Sequence, residues 1–422
     1  MLDVQTPVQS EMKAAPWPSN RKRWTIVGLL FTITVINLID RQTLSVLAPI
    51  LRENFHLSNV QYGRIVSALQ FGMMAGELPL GHLMDRFGAR IGLSFAVMWW
   101  SAATAAQAAA RSGGMFGFIR FWMGTGECGN FSGGVKTIGR LFSQRDRTLA
   151  IGIFNSGSVV GSTLAPPLIV YLLHRYGFHA AFLVPATLGL LWVPVWWFAY
   201  GREHRPEHVR RTEEVSARTM LHDPNTWALM LCRGFIGPVM QFYWYWTPSY
   251  LASVHHASML QIGMLAWIPF LFGDIGGVFG GWSAGKLQRR GMTVPKMRKL
   301  LMFSSSLVCL TSALVPMISE AGIAMLVIGI AVGADNFLSA NMFAAITDLF
   351  EDKKVGRASA FMGVASGLSG LLFPLITGRL VDKISYTPVF LIVGLMPLVG
   401  TTFLFLFGRR YKTMPHPHWS SH

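Results

Sequence analysis

Charge is scarce in this chain. Only 13% of its 422 residues are Asp, Glu, Lys or Arg, about half the share of a soluble globular protein, and that argues against a water-exposed surface over most of its length. Cysteine is rarer still. Cys128, Cys232 and Cys309 all fall inside apolar stretches, so neither a disulfide framework nor a metal-ligand spacing is available, and no metal is expected. No phosphate loop or nucleotide fingerprint stands at a strand-to-helix junction, which argues against drive by ATP. No nucleophile–base or metal constellation marks an enzyme, and no cofactor is expected. The first apolar segment is too long for a cleavable signal peptide and runs on into polar residues. The tail from Met414 to His422 reads as disordered rather than metal-binding.

What fills the chain instead is apolar sequence. Hydrophobic residues make up 52% and fall in runs of about 20 residues or more, long enough to cross a hydrocarbon core as helices. A spanning segment must satisfy its own backbone polar groups, so a helix or a closed barrel is required. The runs are too continuous for barrel strands, which alternate over about 10 residues. The net charge of +16 could point to nucleic acid, but its distribution points elsewhere. With twelve spans and a cytoplasmic N-terminus, about 26 Lys and Arg fall inside and about 6 outside, the positive-inside bias. Arg21-Lys22-Arg23 and the tail Arg409-Arg410-Lys412 agree with both termini lying in the cytoplasm. The expected localisation is a bacterial inner membrane, with no nucleic-acid partner.

Spans are predicted at 25–51, 61–83, 91–110, 115–142, 148–173, 180–200, 226–252, 260–284, 298–318, 321–350, 355–381 and 386–408. The expected fold is an all-α membrane protein of two six-helix bundles, 24–200 and 226–409. A cytoplasmic tail (1–23), a polar central loop (201–225, with Arg202, Glu203, His204, Arg205 and Glu207) and a second tail (410–422) complete it. The halves resemble each other. Leu57-Ser-Asn-Val-Gln-Tyr-Gly63 has its counterpart 200 positions on in Ala257-Ser-Met-Leu-Gln-Ile-Gly263. Leu141-Phe142 matches Leu349-Phe350, and Phe154 and Pro167 match Phe361 and Pro374. Parallel half-repeats place a substrate site at the midplane between them. Gly273, Gly276, Gly277, Gly280 and Gly281 lie along one span, where small residues let helices approach closely.

Ionisable residues inside spans are costly and are read first as functional. Asn37, Asp40 and Arg41 are expected on one face of the first span, and Arg120 and Glu127 on one face of the fourth. Glu77, Arg233, Asp274 and Asp335 are possible further charge sites. Lys136 is expected to snorkel to the cytoplasm. An arginine at depth can hold a carboxylate through two parallel hydrogen bonds, and burial disfavours the charged form of an acid, so such acids can exchange protons. The rival reading is static ion pairs that lock helices together; for Arg233 it is snorkelling to the inner surface. The aromatic run Phe242-Tyr-Trp-Tyr-Trp246 fits either an interfacial belt or a sugar-stacking wall, with Tyr243 and Trp246 as the cavity candidates.

Gly81-His-Leu-Met-Asp-Arg-Phe-Gly-Ala-Arg90 resembles the G-x-L-x-D-R-x-G-x-[RK] signature of the major facilitator superfamily, with Gly81, Asp85, Arg86, Gly88 and Arg90 as a gating motif. Asp85 would latch the halves together. A weaker echo runs from Gly281 to Gly291. Within that superfamily the chain resembles the anion:cation symporter family over about 24–408, in particular the bacterial hexuronate and sugar-acid branch. The resemblance rests on Asn37-Leu-Ile-Asp-Arg-Gln-Thr-Leu-Ser-Val46, Arg120-Phe-Trp-Met-Gly-Thr-Gly-Glu127, Arg145-Asp-Arg147, Phe154-Asn-Ser-Gly-Ser158 with Ala165-Pro-Pro167, and Trp267-Ile-Pro-Phe-Leu-Phe-Gly-Asp274. It implies Asp40 and Glu127 as proton carriers and Arg41 paired with Asp40. Arg120 would release Glu127 and take the substrate carboxylate, while Asn155 and Ser158 bind sugar hydroxyls in the same cavity. The chain departs from the family at Leu38, where many relatives have tyrosine, and at Phe361-Met362-Gly363, which lacks an asparagine of some galactonate carriers; both weigh against galactonate. Glu77 stands where glutamine is frequent, and Gly237 replaces an aspartate common in hexuronate-type relatives.

The expected function is import of a small organic anion, a hexuronate or related sugar acid, by proton symport with alternating access. Protons serve as the coupling ion and the carrier is monomeric. An organophosphate:phosphate antiporter using Arg41 and Arg233, and a sugar-acid sensor that does not transport, are the alternatives.

Overall fold

The computed structural model describes residues 19–201 and 216–408. The Arg409-Arg410-Lys412 tail, the terminal segment Met414–His422 and the polar run Arg202–Glu207 lie outside the described residues, as does the side chain of Arg145. Among the described residues every regular element is helical. In chain order these are α1 (Asn20–Val46), α2 (Ala48–Asn54), α3 (Asn59–Gln107), α4 (Gly113–Leu141), α5 (Gln144–Tyr176), α6 (Ala180–Tyr200), α7 (Ala217–Leu221), α8 (Pro224–Val254), α9 (Met259–Leu265), α10 (Ile268–Arg289), α11 (Val294–Cys309), α12 (Ala321–Leu349), α13 (Asp352–Lys383) and α14 (Thr387–Phe407). A 3-10 stretch, Leu310–Met317, continues α11.

Eight helical segments among the described residues are long and apolar enough to cross a membrane. Helices α3, α4 and α8 are as long, but glycines, buried polar groups and, in α8, Tyr and Trp dilute their apolar character. The outward surface is itself apolar: Leu78, Phe198 and Met317 are 83%, 82% and 82% exposed. Exposure on that scale suits lipid better than water.

Local chemistry explains where the predicted spans break. The first span divides at Leu47, where Pro49 starts α2. The eighth divides at Ala266, ahead of Pro269 in α10. The second and third run together as α3 through a sharp bend at Gly88, whose φ of 81° and ψ of 171° belong to a region that only glycine adopts cheaply. Gly291, at φ 83°, makes the matching turn after α10.

The repeat is written into backbone detail. His56 and His256 both take left-handed φ, 50° and 52°. Ser58 and Ser258 then cap α3 and α9 with the same reciprocal box: each hydroxyl accepts the amide of Gln61 or Gln261, and each glutamine Oε1 accepts the serine amide at 2.8 Å. Such a box satisfies two of the free donors at a helix start. Phe142 and Phe350 end α4 and α12 alike, each amide donating to the carbonyl four residues back at 3.0 Å.

Helices α1 and α3–α6 pack chiefly on one another, as do α8 and α10–α14. Between these groups α3 meets α13, α1 and α2 meet α8, and α5 meets α9 and α10. Hydrogen bonds across the divide cluster at one end. The Ser45 hydroxyl donates to the Trp244 carbonyl (2.6 Å), Tyr62 to the Tyr245 carbonyl (2.7 Å) and Ser67 to the Leu371 carbonyl (2.7 Å). Asp382, in the last turn of α13, accepts from the Asn59 amide (2.9 Å), Asn59 Nδ2 (2.7 Å) and the Val60 amide (2.9 Å) at the start of α3.

The glycine stripe of α10 acts in packing, as its spacing suggested, but on one face only. A Cβ at Gly276 would collide with the Gly333 carbonyl of α12, and one at Gly280 would meet the Phe337 carbonyl at 2.8 Å. Gly277 and Gly281 have nothing within 4 Å.

The charged turn at Gly88 differs from expectation. Asp85 pairs with Lys136 of α4, within its own group of helices, because α4 packs directly along α3. Lys136 is therefore engaged rather than simply snorkelling. Arg90 donates from Nε and Nη2 to the Trp197 carbonyl of α6 (3.2 and 2.8 Å) and stacks 4.1 Å over the Trp197 ring. Arg86 lies over the Phe87 ring, and a Cβ at Gly81 would meet nothing within 4 Å.

Candidate functional site

Two polar clusters lie inside the helix assembly, one within the first group and one between the two groups. The first is largely buried. Arg41 leaves α1 toward α4 and grips Glu127, with Nη2 at 2.9 Å and Nε at 3.1 Å from Oε2. The Glu127 side chain is fully buried and that of Arg41 is 14% exposed. Two expected pairings are thereby corrected. Arg41 does not pair with Asp40, because consecutive helical residues point about 100° apart. Glu127 does not pair with Arg120, because seven residues separate them by about 10 Å along the axis, and Arg41 supplies the nearer guanidinium. Arg120 instead donates to the Arg41 carbonyl at 3.3 Å and to Met123 Sδ at 3.4 Å, with its Nε unpartnered.

Asp40 is fully buried and neither carboxylate oxygen has a hydrogen-bond partner. Asn37, one turn earlier, is buried with Nδ2 unpartnered. An unsatisfied carboxylate at such a place is expensive.

The second cluster lines a cavity of about 250 Å³. Its walls come from α5 (Ser158, Ser162), α8 (Arg233, Gly237, Gln241, Trp244), α10 (Asp274) and α12 (Asp335, Asn336, Ser339). Arg233, Gly237 and Gln241 recur every four residues and so share one face of α8. Arg233 makes no hydrogen bond or ion pair among the described residues; its guanidinium lies 5.2 Å from the centre of the Phe343 ring. It is half-buried against the cavity, not stretched to a surface. Asp335 is 1% exposed with Oδ1 unpartnered, and Asp274 Oδ2 is likewise unpartnered.

The expected site residues are therefore divided. Asp40, Glu127, Arg120 and Asn37 do not line this cavity; they sit buried within the first group. Ser158 lines it, whereas Asn155, one turn earlier on α5, is exposed beyond it. Tyr243 and Trp246 are buried elsewhere. Tyr243 donates to Ser312 at 2.7 Å, and Trp246 meets Tyr62 and Tyr386 edge-on. Trp244, between them, faces the cavity, and its indole nitrogen is unpartnered. Glu77 is exposed on α3 and belongs to neither cluster.

Sequence reasoning passed over Gln241, Trp244, Ser162, Asn336 and Ser339. The four-residue recurrence from Arg233 through Gly237 to Gln241 was the available signal. It also passed over Arg298, which binds Asp348 and Asn341 at 2.8 Å each and ties α11 to α12.

The family model described as Major Facilitator Superfamily matches residues 30–334 and 296–420. Among curated proteins, the hexuronate transporter of Escherichia coli K12 is 25% identical over 397 residues, covering 90% of this chain and 92% of the relative. The hexuronate transporter of Bacillus subtilis 168 is 28% identical over 401 residues (89% and 92%). The D-galactonate transporter of Escherichia coli O6:H1 is 24% identical over 418 residues (92% and 96%). Among solved structures, a D-xylose-proton symporter superposes with a TM-score of 0.76 at 15% identity, covering 93% of this chain and 99% of the other. An inward-facing bacterial homologue of the lysosomal transporter Spinster gives 0.71 at 18% (93% and 96%). These relatives are transporters, not enzymes.

Proposed function

We propose that this chain, which belongs to the major facilitator superfamily, imports a monoanionic sugar acid of the hexuronate type together with protons. The observation that carries this reading is the buried Arg41–Glu127 pair beside an unpartnered Asp40. Protonation of Glu127 removes the counter-charge from Arg41 and frees its guanidinium for an incoming carboxylate. Deprotonation restores the pair and expels the anion. Asp40, already costly as an anion, is the second proton carrier. Arg120 holds the Arg41 backbone and adds positive potential.

In this reading twelve spans form two bundles of six in a bacterial inner membrane, with both termini in the cytoplasm and the carrier acting as a monomer. The latch of Asp382 on α3 then lies at the outer end, and the bundles rock to expose either side. One proton with one anion moves no net charge. A second proton adds about 2.3 kcal/mol of drive per 100 mV of membrane potential. The curated relatives named for hexuronate support the substrate class, and the xylose-proton symporter supports proton coupling in this fold.

The test is accumulation of radiolabelled D-galacturonate in proteoliposomes under an inward proton gradient. Wild type should accumulate it. Glu127→Gln should exchange it without accumulation. Accumulation by Glu127→Gln equal to wild type, or indifference of wild type to the gradient, would contradict the proposal.

A further inference from the structure

The Arg233 cavity holds one guanidinium and two carboxyl groups, and none of the three is in ion-pair contact with another. The titratable and charged groups facing it are Arg233 on α8, with the Cys232 thiol behind it, Asp274 on α10 and Asp335 on α12. The other polar groups on the walls, from Ser158 and Ser162 of α5 to Gln241, Asn336 and Ser339, are neutral, as are Ser366 and Ser369 of α13 beside Gly237. A guanidinium does not give up its proton, whereas an ionised carboxylate left unpaired at this depth costs several kcal/mol. With both acids neutral, Arg233 is the one charge on the cavity wall. In that state the cavity carries net positive charge and an unengaged donor fork suited to a carboxylate. Ionising either acid supplies an internal counter-ion and cancels the attraction. The volume, about 250 Å³, lies just below the usual range for ligand pockets, about 300–1,000 Å³, and limits the ligand to about the size of a six-carbon acid.

We propose that this cavity is a second anion subsite with a proton requirement of its own. Arg233 takes the carboxylate of a polyhydroxylated monocarboxylic acid while Asp335 and Asp274 are protonated, and Gln241, Asn336 and the α5 serines meet its hydroxyls. The inference rests on the sugar-acid reading above and adds proton-binding groups in the second set of helices, independent of Glu127.

The test is calorimetric titration of D-galacturonate into the detergent-purified full chain at several pH values. In a Glu127→Gln background, affinity should still fall as pH rises, by up to about tenfold per unit for one linked proton. Adding Asp335→Asn and Asp274→Asn should flatten that slope. Arg233→Gln should weaken binding at least about tenfold, the loss of one charged hydrogen-bonded contact. Gly237→Asp tests the same point with Arg233 in place, since a Cβ there lies 3.8 Å from Arg233 Cζ. It places a carboxyl group in contact with Arg233 and should bind about tenfold more weakly than the equally large, uncharged Gly237→Asn. An unchanged pH slope in the Asn variants, or wild-type affinity in both Arg233→Gln and Gly237→Asp, would overturn the proposal. Transport is read separately. If wild type binds with the expected slope yet fails to accumulate galacturonate, the symport reading falls and the subsite stands.

Discussion

Removing the Asp382 carboxylate should open the end of the molecule that it fastens. At the start of α3, Ser58 occupies the Gln61 amide, and Asp382 reaches across from α13 to occupy the two amides before it and the Asn59 side chain, at 2.9, 2.9 and 2.7 Å. The helix start thus has its free donors filled partly from its own chain segment and partly from the opposite group. Losing such a cap costs about 1–2 kcal/mol, helix-dipole contribution included; the exposed position of Asp382 argues against a larger figure. Because the contact exists only while this end is closed, Asp382→Ala should shift the closed–open equilibrium by a factor of roughly 5–30. Spin labels at Arg111→Cys and Ser319→Cys would report it by pulsed electron resonance. Both positions are exposed at this end, and the three native cysteines are buried. A longer-distance population should grow in Asp382→Ala, less in Asn59→Ala, and no further in the double variant. Identical distance distributions in wild type and Asp382→Ala would refute the latch.

Three further outcomes follow from the packing and the buried pair. Arg41→Gln leaves Glu127 buried without its partner, a loss of about 3–5 kcal/mol that a lowered melting temperature in detergent would register. Gly276→Leu must push α10 away from the Gly333 carbonyl of α12, and overpacking of this kind costs about 1–3 kcal/mol, which thermal unfolding in detergent would register. Gly88→Ala imposes a side chain at φ 81° and should lower the melting temperature by the equivalent of about 1–3 kcal/mol, while an alanine at Gly81, where nothing lies within 4 Å, should not.

Much of the architecture was legible because it is encoded within single helices or at a fixed repeat. The serine–glutamine boxes at Ser58 and Ser258 are visible as spacing, and the glycine that closes the Asp85 turn is visible as composition. The charged residues deep in the spans were found for the same reason, since lipid makes them conspicuous, whereas Arg298 and Asp382 at span ends were not. The partners of the deep residues were not found either. Helical periodicity groups Asp40 with Arg41 and Arg120 with Glu127, but it says nothing about which neighbouring helix arrives alongside, and Arg41 reaches across to α4. The aromatic run of α8 failed more narrowly: a rotation of about 100° per residue turns Trp244 to the cavity and Tyr243 and Trp246 away from it. Asp382 was lost at a predicted span end, where its partners lie more than 300 residues away.

The central claim is that Glu127 must take a proton before Arg41 can hold a carboxylate. Proton uptake on adding D-galacturonate to weakly buffered purified protein, followed with a pH indicator, tests it most directly. The account predicts uptake by wild type and about one proton fewer per bound anion in Glu127→Gln. Equal uptake by the two proteins would contradict it.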